Sequence, residues 1–258
     1  MQTVLFHETV FGPIHSRRLG VSLGINLMPN DGKICSFDCV YCEAGYNAQG
    51  AGKSGIPSRE AVKKGRNRKL KAMIEAGEQL DVITFSGNGE PTLHPQFKEI
   101  VLDVIMLRDR LFPNAKVSVL SNSTMLKKDS VVEALKKVDN NILKLDSAIA
   151  SSFRLINQPT SNGVLPEGVI ADLKRFNGKC IVQTMFLRGE HNGKHIDNTT
   201  DEEVNALIAA YKEIAPQEVM IYSIDRKTPE ENLVKVEKSE LEAIGKRIES
   251  AGIKVIVS

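Results

Sequence analysis

Three cysteines, Cys35, Cys39 and Cys42, lie within eight residues of one another, and the fourth, Cys180, stands far downstream. Their C-x3-C-x2-C spacing allows three thiolates to converge on one soft metal centre. Disulfide pairing is the poorer reading, because three clustered thiols cannot all pair among themselves. Two metal centres compete. Structural zinc takes four ligands, normally in paired C-x2-C knuckles, and no fourth is at hand: the next His downstream is His94, and Cys180 falls in a predicted core strand. An iron–sulfur cubane prefers four thiolates, and when held by three it keeps one iron open for chemistry. The spacing favours a catalytic cluster over zinc.

Such a centre needs a scaffold, and the chain has the means to build one. Its 258 residues are 41% hydrophobic and 26% charged, with a formal net charge of +2. That composition describes a globular protein and excludes a disordered tail or a strongly basic nucleic-acid coat. No run approaches the roughly eighteen apolar residues of a membrane span. The opening MQTVLFHETVFGP lacks a basic region followed by an apolar one, so a cytoplasmic location is expected.

Short β-branched runs at residues 24–28, 81–86, 116–120, 142–146, 180–186, 218–223 and 254–257 read as strands. The inner ones are nearly continuous apolar stretches, which suits a parallel sheet buried on both faces. Helical stripes separate them. Phe97, Ile100, Val101, Val104 and Leu111 form one, and Val204, Leu207, Ile208 and Tyr211 another. Thr200-x-x-Glu203 reads as a capping box, Ser239-x-x-Glu242 as the opening of the last helix, and Gly252 as its close. Six β-then-α units predict an α/β fold, a partial TIM-type (β/α)6 barrel of parallel strands with helices outside. No linker or repeat divides the chain, so residues 1–258 read as one domain, with 1–22 as an N-terminal extension near the barrel mouth. The glycine-rich stretch 47–57 reads as a flexible loop. Residues 53–71 carry eight basic residues against the single acid Glu60, a local charge of +7 that suits a solvated helix face.

Residues 35–42 resemble the C-x3-C-x-aromatic-C signature of radical S-adenosylmethionine (SAM) enzymes, with Tyr41 in the aromatic place. Ser86-Gly87-Asn88-Gly89-Glu90-Pro91, at the end of the next predicted strand, resembles that family's Gly-Gly-Glu-Pro motif, with Asn88 replacing the first glycine. Phe11-Gly-Pro-x-x-Ser-Arg-Arg-Leu-Gly20 and Ser22-Leu-Gly24 look like a subgroup related to wyosine-forming tRNA enzymes.

The resemblance implies a [4Fe-4S] cluster on Cys35, Cys39 and Cys42, with SAM on its open iron. Reductive cleavage of SAM would yield a 5′-deoxyadenosyl radical that abstracts hydrogen from substrate. Glu90 and the backbone at Gly87, Asn88 and Gly89 would receive the methionyl ammonium, with Pro91 fixing the turn. Tyr41 would stack near the adenine or shield the cluster. Ser121, Asn122, Ser123, Asp146 and Gln183, at further strand ends, take places that bind ribose and methionine carboxylate in the family. Asp146 is the foremost of them, since an acid on an apolar strand needs a partner. His15, Arg17, Arg18, Arg188, Glu190, His191, Tyr222, Asp225 and Arg226 could border the mouth and meet substrate. His191 and His195 read as surface residues rather than a second metal site.

The expected substrate is a small molecule, a modified nucleobase or nucleoside as in a queuine lyase, with reduced flavodoxin or ferredoxin as electron donor. A wyosine-like enzyme acting on tRNA is the alternative; a glycyl-radical activase or peptide modifier is a further one. From another class, a zinc-stabilised RNA-binding module would use residues 53–71 to grip phosphates.

Overall fold

The computed structural model describes residues 4–16 and 20–258, so the candidates Arg17 and Arg18 lie outside the described residues. In chain order the elements are β1 (Val10–Ser16), β2 (Gly20–Ile25), α1 (Arg59–Glu75), β3 (Val82–Phe85), α2 (Phe97–Leu111), β4 (Lys116–Ser121), α3 (Asp129–Leu135), β5 (Asn140–Lys144) and α4 (Ala150–Asn157). There follow α5 (Pro166–Leu173), β6 (Ile181–His191), β7 (Lys194–Asp197), α6 (Asp201–Ile214), β8 (Glu218–Ser223), β9 (Leu233–Lys235), α7 (Lys238–Ser250) and β10 (Val255–Val257).

Neighbours run β1-β2-β3-β4-β5-β6-β8-β10, with every pairing from β2 to β10 parallel. Helices intervene at each of these six steps, as the predicted six units require. Side chains from β2, β3, β4, β5, β6 and β8 line one cavity of about 110 Å³, so the sheet curls around a common interior. It is an open, partial barrel. Its apolar contacts divide accordingly: a large layer joins the outer sheet face to the helices, and a small cluster of Ile142, Ile181 and Met220, with Leu120 against it, fills the inside. Phe85, facing out, meets Phe97 of α2 edge-on at 6.2 Å. Among the described residues no helix is long and apolar enough to cross a membrane.

The structure corrects several sequence expectations. The first parallel strand is Gly20–Ile25, not 24–28, because Asn26 turns the chain: its Oδ1 accepts from Met28 N at 3.1 Å. β1 pairs antiparallel with β2, and β7 and β9 pair antiparallel with the far end of β6. These three strands were not anticipated, since polar runs such as Lys194-His-Ile-Asp197 lack a strand's apolar pattern. The Thr200 cap is one-sided. Its hydroxyl accepts from Glu203 N, but the buried Glu203 side chain takes the Ser147 hydroxyl at 2.7 Å instead of reaching back. Ser239 does not cap α7, which begins at Lys238 after an extended Glu237. Gly252 does close that helix, at φ +83° with its N–H on Glu249 O.

Candidate active site

The loop that leaves β2 carries the three clustered cysteines and is folded by polar groups that the sequence reading passed over. Lys33, buried, donates to Asp38 Oδ1 at 3.0 Å and to Gly45 O at 2.6 Å. Asp38 Oδ1 also accepts Asn47 N at 2.8 Å. Asn47 in turn receives Cys35 N at 3.2 Å and donates to Cys35 O and Phe37 O. The loop is strapped to the end of α4 through Asp38 N to Asn157 O and Val40 N to Ile156 O. Phe37 lies buried against Phe153 beneath it.

This loop docks on the turn after β3. Ile34 and Gly89 form a parallel bridge, with Ile34 N donating to Asn88 O at 3.2 Å and Glu90 N to Ile34 O at 3.1 Å. Only glycine permits the approach. Gly89 has φ +143°, and a Cβ there would stand 1.9 Å from Ile34 O. Gly87 is similar, with Asn26 Oδ1 2.4 Å from where its Cβ would be. Asn88 explains its own departure from the family motif. Its side chain donates to Pro29 O at 2.8 Å and exchanges two hydrogen bonds with the Phe6 backbone, holding the N-terminal segment down.

Glu90 is buried and meets four donors: Thr92 N at 3.0 Å, Thr92 Oγ1 at 2.5 Å and Ser121 Oγ at 2.9 Å on one oxygen, and Asn122 N at 2.6 Å on the other. Burial holds its carboxyl above the ordinary range, and these donors offset that only in part.

The thiols are free, Cys39 buried and Cys35 and Cys42 half-buried. Burial, then the nearby Glu90 charge, pushes Cys35 up; burial pushes Cys39 up to about 11, with Lys144 opposing. Both therefore keep their protons until a cation displaces them. Two amides point at sulfur: Asn122 Nδ2 lies 3.5 Å from Cys35 Sγ and Asn157 Nδ2 3.5 Å from Cys39 Sγ. Asn157 was absent from the sequence-based candidates. Three soft donors, amides directed at two of them and the Lys33 ammonium alongside fit an anionic iron–sulfur cluster.

Asp146 organises the opposite side. Fully buried, it accepts the Tyr41 hydroxyl, Asn157 Nδ2 at 2.6 Å and Met185 N at 2.8 Å, and lies 3.5 Å from Lys144 Nζ. Lys144, also missed, donates to Tyr222 Oη at 3.2 Å and stands 5.0 Å from the Tyr41 ring centre. Burial opposes its charge, but Asp146 and Tyr222 outweigh that and hold it above the ordinary lysine range. Ser121, Asn122 and Ser123 close β4; Ser123, at φ +70°, donates to Lys144 O. Gln183 faces the interior cavity.

The substrate candidates divide. Tyr222, Asp225 and Arg226 line a cavity of about 670 Å³ together with Met185, Met220 and Glu43. Arg188 is bound to Glu240 and Thr199, bracing β6 against α7. His191 faces Glu230 at 3.1 Å, whose carboxylate also takes the Tyr46 hydroxyl. His15, Glu190 and His195 are exposed.

The family description that matches residues 30–196 is that of the radical SAM superfamily. UPF0026 protein MJ1312 of Methanocaldococcus jannaschii is 32% identical over 235 residues, covering 90% of this chain and 68% of that protein. The chain spans 34% and 66% of the length of two other curated relatives. Among solved structures, a radical SAM methyltransferase from Sphaerobacter thermophilus matches with a TM-score of 0.67 at 12% identity, covering 92% of this chain and 65% of that one. TYW1 with a lysine-pyruvate adduct bound matches with a TM-score of 0.58 at 14% identity, covering 89% and 73%. At these identities the likeness is one of fold.

Proposed function

The chain belongs to the radical SAM superfamily, alongside the UPF0026 proteins, and from that premise we propose that it cleaves S-adenosylmethionine reductively and abstracts hydrogen from a small modified nucleobase or nucleoside. Enzymes of this superfamily use a [4Fe-4S] cluster and SAM. The observation that carries the reading is the Ile34–Gly89 bridge, which seats the cysteine loop on the Glu90 turn at the carboxyl ends of β2 and β3.

In this proposal Cys35, Cys39 and Cys42 hold the cluster, and Asn122 and Asn157 steady the charge on two of its sulfurs. When bound, the cluster would supply the electron for reductive cleavage of SAM, the chemistry by which hydrogen would be taken from substrate. Glu90, through Oε2, which meets a single donor, and the backbone at Gly87 and Gly89 receive the methionyl ammonium. The Asn88 side chain takes no part, being held by Phe6 and Pro29. Asp146 orients Tyr41 and Lys144 at the mouth. Residues 1–258 act as one domain, and reduced flavodoxin or ferredoxin delivers the electron.

The cavity beside Tyr222 is of a size that takes a nucleoside. Tyr222 and Met185 offer apolar faces to a heterocycle, and Asp225 and Arg226 offer an acceptor and a donor to its edges. The tRNA alternative is supported by the flanking motif and by the fold likeness to TYW1. Anaerobic incubation with modified nucleobases, nucleosides and tRNA tests the choice. A free base or nucleoside should raise 5′-deoxyadenosine formation; stimulation by tRNA alone would overturn it.

A further inference from the structure

A second cleft lies outside the barrel wall, between the starts of α1 and α2. It measures about 610 Å³ and is lined by Ser58, Arg59, Lys63, Arg66, Gln96 and Asp103, among others. Both helices begin just after the two motif loops, and His94 Nε2, following the Glu90 turn, lies 2.8 Å from Pro57 O at the approach to α1. The cleft therefore sits at the rim of the same end of the barrel as the candidate active site.

Arg66 is the anomaly in it. The residue is only 6% exposed, yet its buried Nε and Nη1 have no hydrogen-bond partner. A guanidinium is almost never left this way, because removing the charge from water costs far more than packing returns. The acids nearby do not answer it. Asp103 is held by Arg59 through two bonds of 2.7 and 2.8 Å, and Glu60, exposed, faces Lys63 at 3.4 Å. Three cations thus share two engaged carboxylates.

The start of α1 adds further donors. Ser58 Oγ caps Ala61 N and Ser58 O takes Val62 N, and neither meets the N–H groups of Arg59 and Glu60. Those two N–H groups carry the positive end of a seventeen-residue helix into the cleft. The Arg66 guanidinium, two backbone N–H groups and the Lys63 ammonium are a donor set that suits a tetrahedral oxyanion.

We propose that this cleft binds a phosphate group, with Arg66 as its buried counter-ion. The site is independent of which substrate enters the barrel. Its phosphate belongs either to a small phosphorylated molecule or to one position of an RNA backbone, and both present the same oxygens.

The test uses the anaerobically reconstituted protein and inorganic phosphate as probe, with chloride at matched ionic strength as control. Phosphate should raise the unfolding temperature above the control, and Arg66→Met should weaken the apparent affinity at least tenfold. Arg66→Met should also be as stable as the parent, or more so, in phosphate-free buffer, because an uncompensated buried charge is gone. Lys63→Gln, at a half-exposed position, should weaken phosphate binding without affecting folding, which keeps the test sound if Arg66→Met misfolds. Competition by a 5′-mononucleotide and by a short unmodified RNA then identifies the source of the phosphate. No stabilisation beyond the chloride control, or equal stabilisation of both variants and parent, would overturn the proposal.

Discussion

At the scale of single residues, three clustered cysteines and one set apart in the core give a sharp expectation. Cys35→Ala, Cys39→Ala and Cys42→Ala should each lose the cluster, while Cys180→Ala should keep it. Cys180 is packed in the core, where burial alone pushes its thiol up to about 12 and no partner charge accompanies it. Iron and sulfide content after anaerobic reconstitution decides this, and full iron in a Cys39 variant would remove the assignment. Asn157→Leu removes the amide directed at Cys39 Sγ while keeping similar volume. A donor to sulfur favours the more negatively charged, reduced cluster, so its loss should lower the midpoint potential with iron content retained. A potentiometric titration followed by electron paramagnetic resonance reads that shift directly. Asn157 also holds Asp146, so Asn157→Asp would be a poor probe: it sets two carboxylates against each other.

At the scale of elements, the site depends on one close approach between two loops. Gly89→Ala would place a methyl 1.9 Å from Ile34 O, at a φ that side chains rarely adopt. The loops must separate, so stability should fall by about 3 kcal/mol and the cluster should be lost or labile. Denaturant unfolding with parallel iron analysis tests both consequences. Much of this arrangement was legible in the sequence. The cysteine spacing, the Gly-x-Gly-Glu-Pro turn and the order of apolar strands were enough to place both loops at adjacent strand ends. What remained hidden has a physical reason. Lys33, Asn47, Lys144 and Asn157 each have a partner 12 or more positions away, up to 118 for Asn157, and nothing in their local context marks a lysine or asparagine that will be buried and satisfied. The β6 extension was hidden because Gly189 lets Asn232 approach within reach of its missing Cβ, a contact made by shape rather than by apolar pattern. Ser239 looked like a cap because its type and spacing fit, but the cap position is Glu237, two residues earlier.

At the scale of the whole molecule, the basic run 53–71 becomes α1, one face of which is buried through Val62, Arg66, Leu70 and Met73. Several of its cations already have partners: Arg59 with Asp103, Lys69 with Glu8, Lys63 with Glu60 and Lys71 with Glu75. A helix so engaged is a poor platform for a long polyanion. Binding of tRNA should therefore be weak, with a salt slope near that of one phosphate contact, about 0.7 to 0.9, rather than the steep dependence of many. A filter-binding titration across salt concentrations checks this, and tight binding with a slope of about five or more would restore the tRNA reading. The central claim is that the cysteine loop and the Glu90 turn together make a SAM-cleaving centre. It is tested most directly by reconstituting the protein anaerobically, adding SAM and a strong reductant, and quantifying 5′-deoxyadenosine by mass spectrometry. The account predicts a brown protein with about four irons per chain that forms 5′-deoxyadenosine and methionine, and a Cys39→Ala variant that forms neither. A colourless protein holding one zinc, or a fully loaded cluster that leaves SAM intact, would contradict it.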